Sequence, residues 1–424
     1  MKIQSLLFSL LALMILSSGQ TVSAERTLPA ILDGSMTLYD FSAVEPSAIP
    51  DTLIPVHISY IARHGARYLT SESKILSVEK ILNHAKANGT LTAAGRDCLK
   101  LMEQVRTATA GRWGLLSPIG KEQEIRLGKE MVQMYPQIFG TNRVAEPAVT
   151  AVSSYVPRVI ETMDHFIIPL AESTEGISIS TSSGRRYDHL TRFFVADPDY
   201  AAWREHGDWK AIYDRFVAET IPVAPAQRLA GTNSGLSDKE LRRLVYDLYK
   251  VLQGLRAMGL PAPTDRWMSE TEYAACWQAT NLEKYFQYSI STLSTLPAQG
   301  ASQVLFHLLQ TQTALENALS SLNLQSYPSK SQSESVLKSE IYRSIGNEFG
   351  MDGIFGHAET LLPIFSLLGV PGATALPDDW KDLPEVWSDA DLTPLAANLA
   401  IIYSTDSRGN LYASMRLNGR NVSP

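Results

Sequence analysis

Residues 53–67 read LIPVHISYIARHGAR, and this stretch decides the fold prediction. Its first ten residues are mostly apolar and rich in β-branched side chains, which is typical of a strand buried inside a sheet. Charged and polar residues begin where that strand ends, and Gly65 allows the backbone to turn closely there. The stretch therefore predicts a central strand whose carboxyl end carries Arg63, His64 and Arg67.

A second stretch, much later in the chain, repeats this order of strand, loop and helix. Residues 352–356, DGIFG, predict a short strand, and His357 follows it directly. An apolar helix is predicted from Glu359 to Leu368, with Pro363 tolerated in its first turn and Gly369 ending it.

A third strand is predicted over residues 148–152, and Arg158 follows it after a short turn. Ligand sites of open α/β sheets lie beyond the carboxyl ends of the strands. We therefore expect the polar residues that follow these three strands to meet at one edge of an α/β sheet.

The middle of the chain is predicted to be helical. Strand signals fade from about residue 186 to 290, and residues 241–255 place leucine and valine at helical spacing. Ser237 and Glu240 form a capping box at the start of that helix. We predict an α/β core over residues 25–185 and 291–424, with a mainly α-helical cap inserted over residues 186–290.

Two later segments complete the predicted organisation. Leu399 to Tyr403 and Leu411 to Leu417 predict a hairpin that closes the sheet. The serine-rich stretch from Ser320 to Ser335 predicts a surface loop.

Composition bounds the class of protein and its location. The 424 residues are 45% apolar and 19% charged, enough for one or two packed cores and unlike a disordered chain. Residues 1–24 have the features of a signal peptide, namely Lys2, an apolar run over residues 6–16 and small residues before position 25. That run is too short to cross a bilayer. We therefore expect an exported protein, periplasmic or secreted, that does not associate with membranes.

The net charge of -7 argues against nonspecific binding of nucleic acid. An anionic substrate must therefore be met by a local cluster of arginines. The two cysteines exclude a cysteine-rich zinc framework, and the sequence leaves open whether Cys98 and Cys276 form a disulfide. The oligomeric state also stays open.

The histidines lack the paired spacing of metal ligands. We expect no metal and no other cofactor. Outside the two motifs we expect structural roles for the histidines, which are His57, His84, His165, His189, His206 and His307.

The residues after the strands are suited to phosphoryl transfer without a metal. A neutral imidazole attacks phosphorus when its other nitrogen is held as a donor, and His64 is the candidate. Guanidinium groups such as those of Arg63 and Arg67 bind phosphate oxygens in forks and offset the charge of the transition state. Glu359 is the kind of group that protonates a leaving alkoxide and then activates water.

Each of these residues also has a plainer interpretation. Arg63 and Arg67 are equally consistent with surface charges, and His64 with a buried hydrogen-bonding residue. Glu359 is favoured at a helix N-terminus by the helix dipole, which is compatible with catalysis.

Taken together, Arg63-His64-Gly65-x-Arg67-x-x-Thr70 and His357-Ala358-Glu359 resemble the histidine phosphatase superfamily, in its phytase-like acid phosphatase branch. Most of that branch ends the second motif in His-Asp, and the His-Ala-Glu ending is similar to the multiple inositol polyphosphate phosphatases. Further matches are LSPIG at 116–120 with Gln123, the Arg158 segment, and DHLTRFF at 188–194. The resemblance extends in islands from about residue 50 to 370, and the Leu417-Asn418-Gly419 ending departs from the family pattern.

This resemblance implies a Rossmann-like three-layer α/β/α core with an inserted α-helical cap. It implies that His64 is the phosphorylated nucleophile and Glu359 the proton donor. The residues that it implies bind the phosphate are Arg63, Arg67, Arg158 and His357. Arg192 resembles a position that contacts further substrate phosphates, and Lys284 is a second candidate for that role.

We therefore expect an exported, metal-independent phosphomonoesterase that hydrolyses phytate and lower inositol polyphosphates through a phosphohistidine. Two alternatives stay open. One is a broad-specificity histidine acid phosphatase for sugar phosphates or phosphoglycerates, which differs in the lining of the cap. The other is a non-catalytic protein that binds phosphate esters.

Overall fold

A computed structural model of the chain describes residues 28–140, 146–320 and 334–422. The predicted signal peptide and most of the predicted Ser320–Ser335 loop lie outside these ranges. Among the described residues, none of the helices combines the length and apolar character that crossing a membrane requires.

Within these ranges, seven strands form one sheet in the order β3-β2-β4-β1-β5-β6-β7. The strands are β1 (Ile54–Arg63), β2 (Ala148–Ser153), β3 (Ser178–Ser183), β4 (Gly350–Gly356), β5 (Asn398–Thr405), β6 (Leu411–Leu417) and β7 (Arg420–Val422). Strands β3, β2, β4 and β1 run parallel, and β5, β6 and β7 add antiparallel pairs at one side. The predicted central strand and the closing hairpin of β5 and β6 are both confirmed, and β1 is buried along its whole length.

Helices make up most of the remaining described structure. The α-helices are α1 (Ser73–Ala87), α2 (Ala93–Thr109), α3 (Pro118–Met134), α4 (Pro136–Phe139), α5 (Pro157–Ser173), α6 (Asp188–Thr191), α7 (Phe193–Ala196), α8 (Pro198–His206), α9 (Trp209–Thr220), α10 (Ala224–Ala230), α11 (Asp238–Leu252), α12 (Glu270–Tyr288), α13 (Leu296–Gly300), α14 (Ser302–Ser320), α15 (Glu334–Ile345), α16 (Ala358–Leu367), α17 (Leu383–Val386) and α18 (Asp389–Leu392). Short 3₁₀ helices span Ala30–Met36, Phe41–Ala43, Arg185–Tyr187, Arg256–Met258, Thr264–Arg266, Gly346–Glu348 and Trp380–Asp382.

Helices pack on both faces of the sheet. On one face, Phe166 of α5 stacks on Tyr60 of β1 with ring centroids 4.6 Å apart, and it also contacts Phe355 of β4. On the other face, His307 of α14 contacts the Asp352 carboxylate of β4 at 2.8 Å. Phe355 and Asp352 are three residues apart in one strand, so their side chains point to opposite faces. The predicted three-layer α/β fold is confirmed.

Between β3 and β4, the described residues form helices and no strand. Helix α11 begins at Asp238, and Ser237 and Glu240 make the predicted capping box. Helices α1 and α2 pack against α11 and α10, so this helical layer also includes residues that precede position 186. Helices continue past position 290 as far as Ile345. The cap boundaries at 186 and 290 stay a prediction.

Helix α16 and the two cysteines add local detail to the sequence-based expectations. Helix α16 begins at Ala358, so Pro363 lies inside the helix instead of in its first turn, and it provides no N–H to the carbonyl of Glu359. Cys98 in α2 and Cys276 in α12 are both buried and free, so the open question of a disulfide resolves to two separate thiols.

Candidate active site

The register of β1 and β4 brings the two histidine motifs together. Arg63 at the end of β1 pairs with Gly356 at the end of β4, so His64 and His357 leave the sheet at equivalent positions. The His64 N–H donates to the Gly356 carbonyl at 3.2 Å. The two imidazole rings meet edge to face with centroids 5.7 Å apart. Residues almost three hundred positions apart are therefore neighbours because two parallel strands end side by side.

Strand β2, on the other side of β4, contributes the third group. Ser153 at its end pairs with Phe355 of β4, and the Ser154 hydroxyl lies 3.2 Å from Nε2 of His357. Helix α5 starts a few residues later, which places Arg158 in its first turn.

Beyond these strand ends lies a cavity of about 370 Å³. Its lining includes Ser35, Arg63, His64, Arg67, Lys74, Arg158, Lys250, Gln253, Thr280, Lys284 and Glu359. Six of the eight predicted site residues therefore line one cavity. Of the other two, His357 packs beside His64.

Close backbone packing against α3 holds the loop after β1. A Cβ atom on Gly120 would lie 2.1 Å from the Ala66 carbonyl oxygen, so only glycine permits this approach. The Ala66 N–H donates to Oε1 of Gln123 at 2.9 Å, and the Gly65 N–H donates to the Thr162 hydroxyl at 3.2 Å. The loop that carries His64 is thus bonded to α3 and α5, which explains the Gly120 and Gln123 matches noted in the sequence.

His64 is neutral and has a defined tautomer. Its Nδ1 lies 2.9 Å from the Gly65 carbonyl, and because a carbonyl only accepts, Nδ1 carries the proton and Nε2 has a free lone pair. Burial, together with the charges of Arg158 and Arg63, lowers the pKa of His64 well below its usual range. The imidazole is therefore an uncharged nucleophile at ordinary pH.

The arginines are fixed by backbone carbonyls and stay charged. Nη1 of Arg63 donates to the carbonyls of Ser35 and Thr393, each at 2.5 Å. Burial lowers the pKa of Arg63 to about 10 and that of Arg67 to about 9. The Nε atoms of Arg63, Arg67 and Arg158 are buried without a hydrogen-bond acceptor among the described residues. Buried donors of this kind normally have a partner, and an anion in the cavity would supply one.

His357 caps α16, and Glu359 lies in the first turn of that helix. Burial lowers the pKa of His357 to about 3, although Glu359 opposes this effect. Burial raises the pKa of Glu359, but electrostatic interactions with His357, Lys284 and Arg63, together with a backbone hydrogen bond, outweigh this effect and lower the pKa to about 2. Glu359 is therefore an ionised carboxylate at ordinary pH.

The two predicted cap residues occupy different environments. Lys284 of α12 lines the cavity, contacts the Ser35 hydroxyl, and lies 3.5 Å from the Asp389 carboxylate. Arg192 does not line it; its guanidinium donates to the Tyr155 hydroxyl and stacks 4.8 Å from that ring. Burial lowers the pKa of Arg158, and the charge of Arg192 adds to this effect.

Sequence reasoning missed five of the side chains named in this lining, which are Ser35, Lys74, Lys250, Gln253 and Thr280. Lys74 comes shortly after the first motif in the sequence, and this proximity could have indicated that it belongs to the site. Lys250 gave none, because a lysine in an amphipathic helix is normally read as solvent-facing. In the structure burial lowers its pKa to about 8.

The sequence comparison identifies the family from most of the chain. Residues 56–414 match the histidine phosphatase superfamily (branch 2). The chain belongs to this superfamily. No curated protein matches it significantly in sequence.

Solved structures with the same fold are distant in sequence. The multiple inositol polyphosphate phosphatase of Bifidobacterium longum, in complex with inositol hexasulfate, is 17% identical over 92% of each chain, with a TM-score of 0.72. Its complex with phosphate gives 16% identity, the same coverage and a TM-score of 0.73. The phytase of D. castellii is 16% identical over 93% of this chain and 79% of its own, with a TM-score of 0.63. These similarities show a common fold, and membership of the superfamily supports a phosphatase activity.

Proposed function

We propose that this protein is a phosphomonoesterase that removes phosphate from phytate and lower inositol polyphosphates through a phosphohistidine on His64. One observation carries the proposal. The free Nε2 of a neutral imidazole lies among three guanidinium groups, and the Glu359 carboxylate lines the same cavity.

In the first step Nε2 of His64 attacks phosphorus, and the bond from phosphorus to the ester oxygen breaks. Arg63, Arg67 and Arg158 offset the charge that spreads over the phosphoryl oxygens in the transition state. Glu359 transfers a proton to the departing alkoxide, which leaves as an alcohol.

In the second step water attacks the phosphohistidine. The Glu359 carboxylate accepts a proton from that water, inorganic phosphate leaves, and His64 returns to its neutral form. His357 contributes a hydrogen-bonding ring beside the nucleophile, because it is neutral at ordinary pH and the Ser154 hydroxyl orients it.

The proton for the first step comes with the substrate. Glu359 of the free enzyme is ionised, since its pKa is about 2. A phosphate monoester has a second pKa of about 6, so below that pH it enters with one proton. A phosphate near Glu359 raises the pKa of the carboxyl by adding negative charge, and the proton then passes to it.

The rest of the cavity lining supports an inositol polyphosphate as substrate. Lys74, Lys250 and Lys284 line the same cavity as the arginines but come from helices α1, α11 and α12. One phosphate binds in the cradle formed by Arg63, Arg67 and Arg158. Further phosphates on the same inositol ring are then the natural partners of these lysines. A sugar monophosphate has no second phosphate for them to bind.

Two further parts of the proposal concern the cofactor and the location. The guanidinium groups supply the charge stabilisation that Mg²⁺ or Zn²⁺ supplies in other phosphatases, so the reaction needs no metal. The signal-peptide features of residues 1–24 support export to the periplasm or beyond.

The test is release of inorganic phosphate from phytate and from p-nitrophenyl phosphate by the mature protein in the presence of EDTA, with His64→Ala as control. We expect metal-independent release from both esters and its loss in the variant. Equal efficiency on phytate, a hexose phosphate and a phosphoglycerate would favour the broad acid phosphatase. Binding of phytate without release would indicate a non-catalytic protein.

A further inference from the structure

Asp389, the first residue of α18, is a completely buried acid that belongs to none of the sequence motifs of the site. One carboxylate oxygen accepts from the Ser35 N–H at 2.9 Å, and the other accepts from the Trp277 indole N–H at 3.1 Å. The Asp389 N–H donates to the side-chain oxygen of Asn281 at 2.8 Å. Nζ of Lys284 lies 3.5 Å from the oxygen that Ser35 also contacts.

Both carbonyls that hold Arg63 belong to segments bonded to Asp389. The Ser35 carbonyl accepts from Nη1 of Arg63, and the Ser35 N–H donates to the Asp389 carboxylate. The Thr393 carbonyl accepts from the same Nη1, while the Thr393 N–H and hydroxyl donate to the Asp389 carbonyl at 3.0 and 3.2 Å. Asp389 thus reaches the phosphate cradle through two short paths.

The chain approaches Asp389 in a way that only glycine permits. Gly34 has a φ of +59°, and a Cβ atom there would lie 3.1 Å from both carboxylate oxygens of Asp389. A side chain at position 34 would be strained by the backbone angle and crowded by the carboxylate. The close contact between this segment and Asp389 is therefore built into the sequence.

We propose that Asp389 is a positioning residue that holds Arg63 through Ser35 and Thr393, and holds Lys284 through its own carboxylate. The proposal rests on the proposed function, in which Arg63 binds the transferred phosphate. Asp389 touches neither the substrate nor the reacting atoms. Its loss should therefore lower turnover of every ester through Arg63 and weaken binding of polyphosphates through Lys284.

The test is Asp389→Asn in the full mature chain, which keeps the size of the side chain and one acceptor but removes the charge. We expect kcat to fall by roughly 10- to 100-fold on phytate and on p-nitrophenyl phosphate, the loss typical of a charge-assisted hydrogen bond. The KM for phytate should rise more than the KM for the small ester. Combined with Lys284→Met, the effects on the phytate KM should be less than additive, because both changes disrupt one contact.

Asp33→Asn is the matched control, since Asp33 is also buried and also lies in this segment. Its carboxylate bonds to Arg256 and to the Tyr273 hydroxyl, not to Ser35 or Lys284. A general loosening of the segment would lower activity in both variants, whereas positioning of the cradle predicts a loss in Asp389→Asn alone. Equal losses in the two variants, or wild-type constants in a folded Asp389→Asn, would overturn the proposal.

Two further measurements keep the test decisive. If Asp389→Asn does not fold, Trp277→Phe is the alternative, because it removes one donor to the Asp389 carboxylate and keeps the carboxylate itself. We expect kcat to fall several-fold in this variant. Unchanged kinetics would refute the proposal. Calorimetric binding of inorganic phosphate does not depend on turnover. A wild type that releases no phosphate would refute the proposed function, while equal phosphate affinity in wild type and Asp389→Asn would refute the role of Asp389.

Discussion

Replacement of Glu359 by Gln is the most informative perturbation of this site. The amide keeps the size of the side chain but neither donates an acidic proton nor carries a charge. Burial and its positive neighbours set the pKa of the wild-type carboxyl to about 2, compared with 4.5 for the free group. At about 1.4 kcal/mol per pKa unit, that lowering corresponds to roughly 3 kcal/mol in favour of the ionised form.

Two consequences follow for the Glu359→Gln variant. Inorganic phosphate should bind more tightly, because a negative charge that repels it has been removed. Turnover of phytate should fall by about 10²–10⁴-fold, the usual contribution of a general acid, since the inositol alkoxide is a poor leaving group. Nitrophenolate needs little protonation, so p-nitrophenyl phosphate should still phosphorylate His64 readily.

The pH dependence provides a second criterion. In the wild type, kcat/KM for phytate should decline above about pH 6, where the substrate phosphate loses the proton that Glu359 must receive. In Glu359→Gln, phosphorylation by p-nitrophenyl phosphate has no such requirement, and this decline should disappear. His64 does not contribute to the decline, because its pKa lies well below this range.

The assay is rapid mixing with each ester, quenched in base because phosphohistidine is labile in acid, with the first-turnover burst measured separately from the steady rate. Thermal unfolding of the variant shows whether the fold is retained. If glutamine slowed the burst equally with both esters, Glu359 would not be the general acid, and the assignment of His357-Ala358-Glu359 would have to be withdrawn.

The remaining predictions concern the cap and the far end of the sheet. Arg192→Ala should raise the KM for phytate, at a cost of roughly 1.5–3 kcal/mol, with little change for p-nitrophenyl phosphate; steady-state kinetics on both esters would reveal an equal loss if Arg192 only supports Tyr155 and the cradle. Lys250→Met should also raise the KM for phytate. The wild-type KM should rise as pH passes about 8, where Lys250 loses its proton, and the variant should show no such rise. A pH series of KM values checks this, and an identical rise in both proteins would contradict it. Asp352→Asn should leave kcat unchanged but cost roughly 1–3 kcal/mol of unfolding free energy, because Asp352 contacts His57 at 2.7 Å and His307 at 2.8 Å. Asp352 raises the pKa of His307, so that part of the stabilisation is fully present below the unfolded pKa of histidine, about 6.5, and is lost as pH rises through the higher folded value. The pKa of Asp352 is lowered, so its own contribution is present above about 3.8 and is lost as pH falls further. Urea unfolding of both proteins across this range should therefore show the largest difference between about pH 4 and 6.5; a difference independent of pH would refute the linkage.

The sequence alone determined the elements that carry the chemistry. The apolar run before Arg63 and the short strand before His357 were recognisable because buried parallel strands are continuous apolar segments, and polar residues begin where they end. The capping box at Ser237 and the closing hairpin are likewise local patterns, each written within a few residues. Because the site of such a sheet lies at the carboxyl ends of its strands, the location of the phosphate-binding residues could be predicted once the strands were recognised.

Tertiary structure alone decided which side chains surround that cradle. Lys250 lines the cavity and Arg192 stays outside it, yet both are single basic residues in helical segments, and their direction depends on how the helices pack over the sheet. Asp389 and Ser35 belong to segments with no motif. Ser35 bonds to Arg63, 28 residues away, and also to Asp389, 354 residues away. The two cysteines, free in separate helices, show the same limit. Periodicity and spacing report on neighbours along the chain, whereas these contacts depend on the packing of distant segments, which no local pattern encodes.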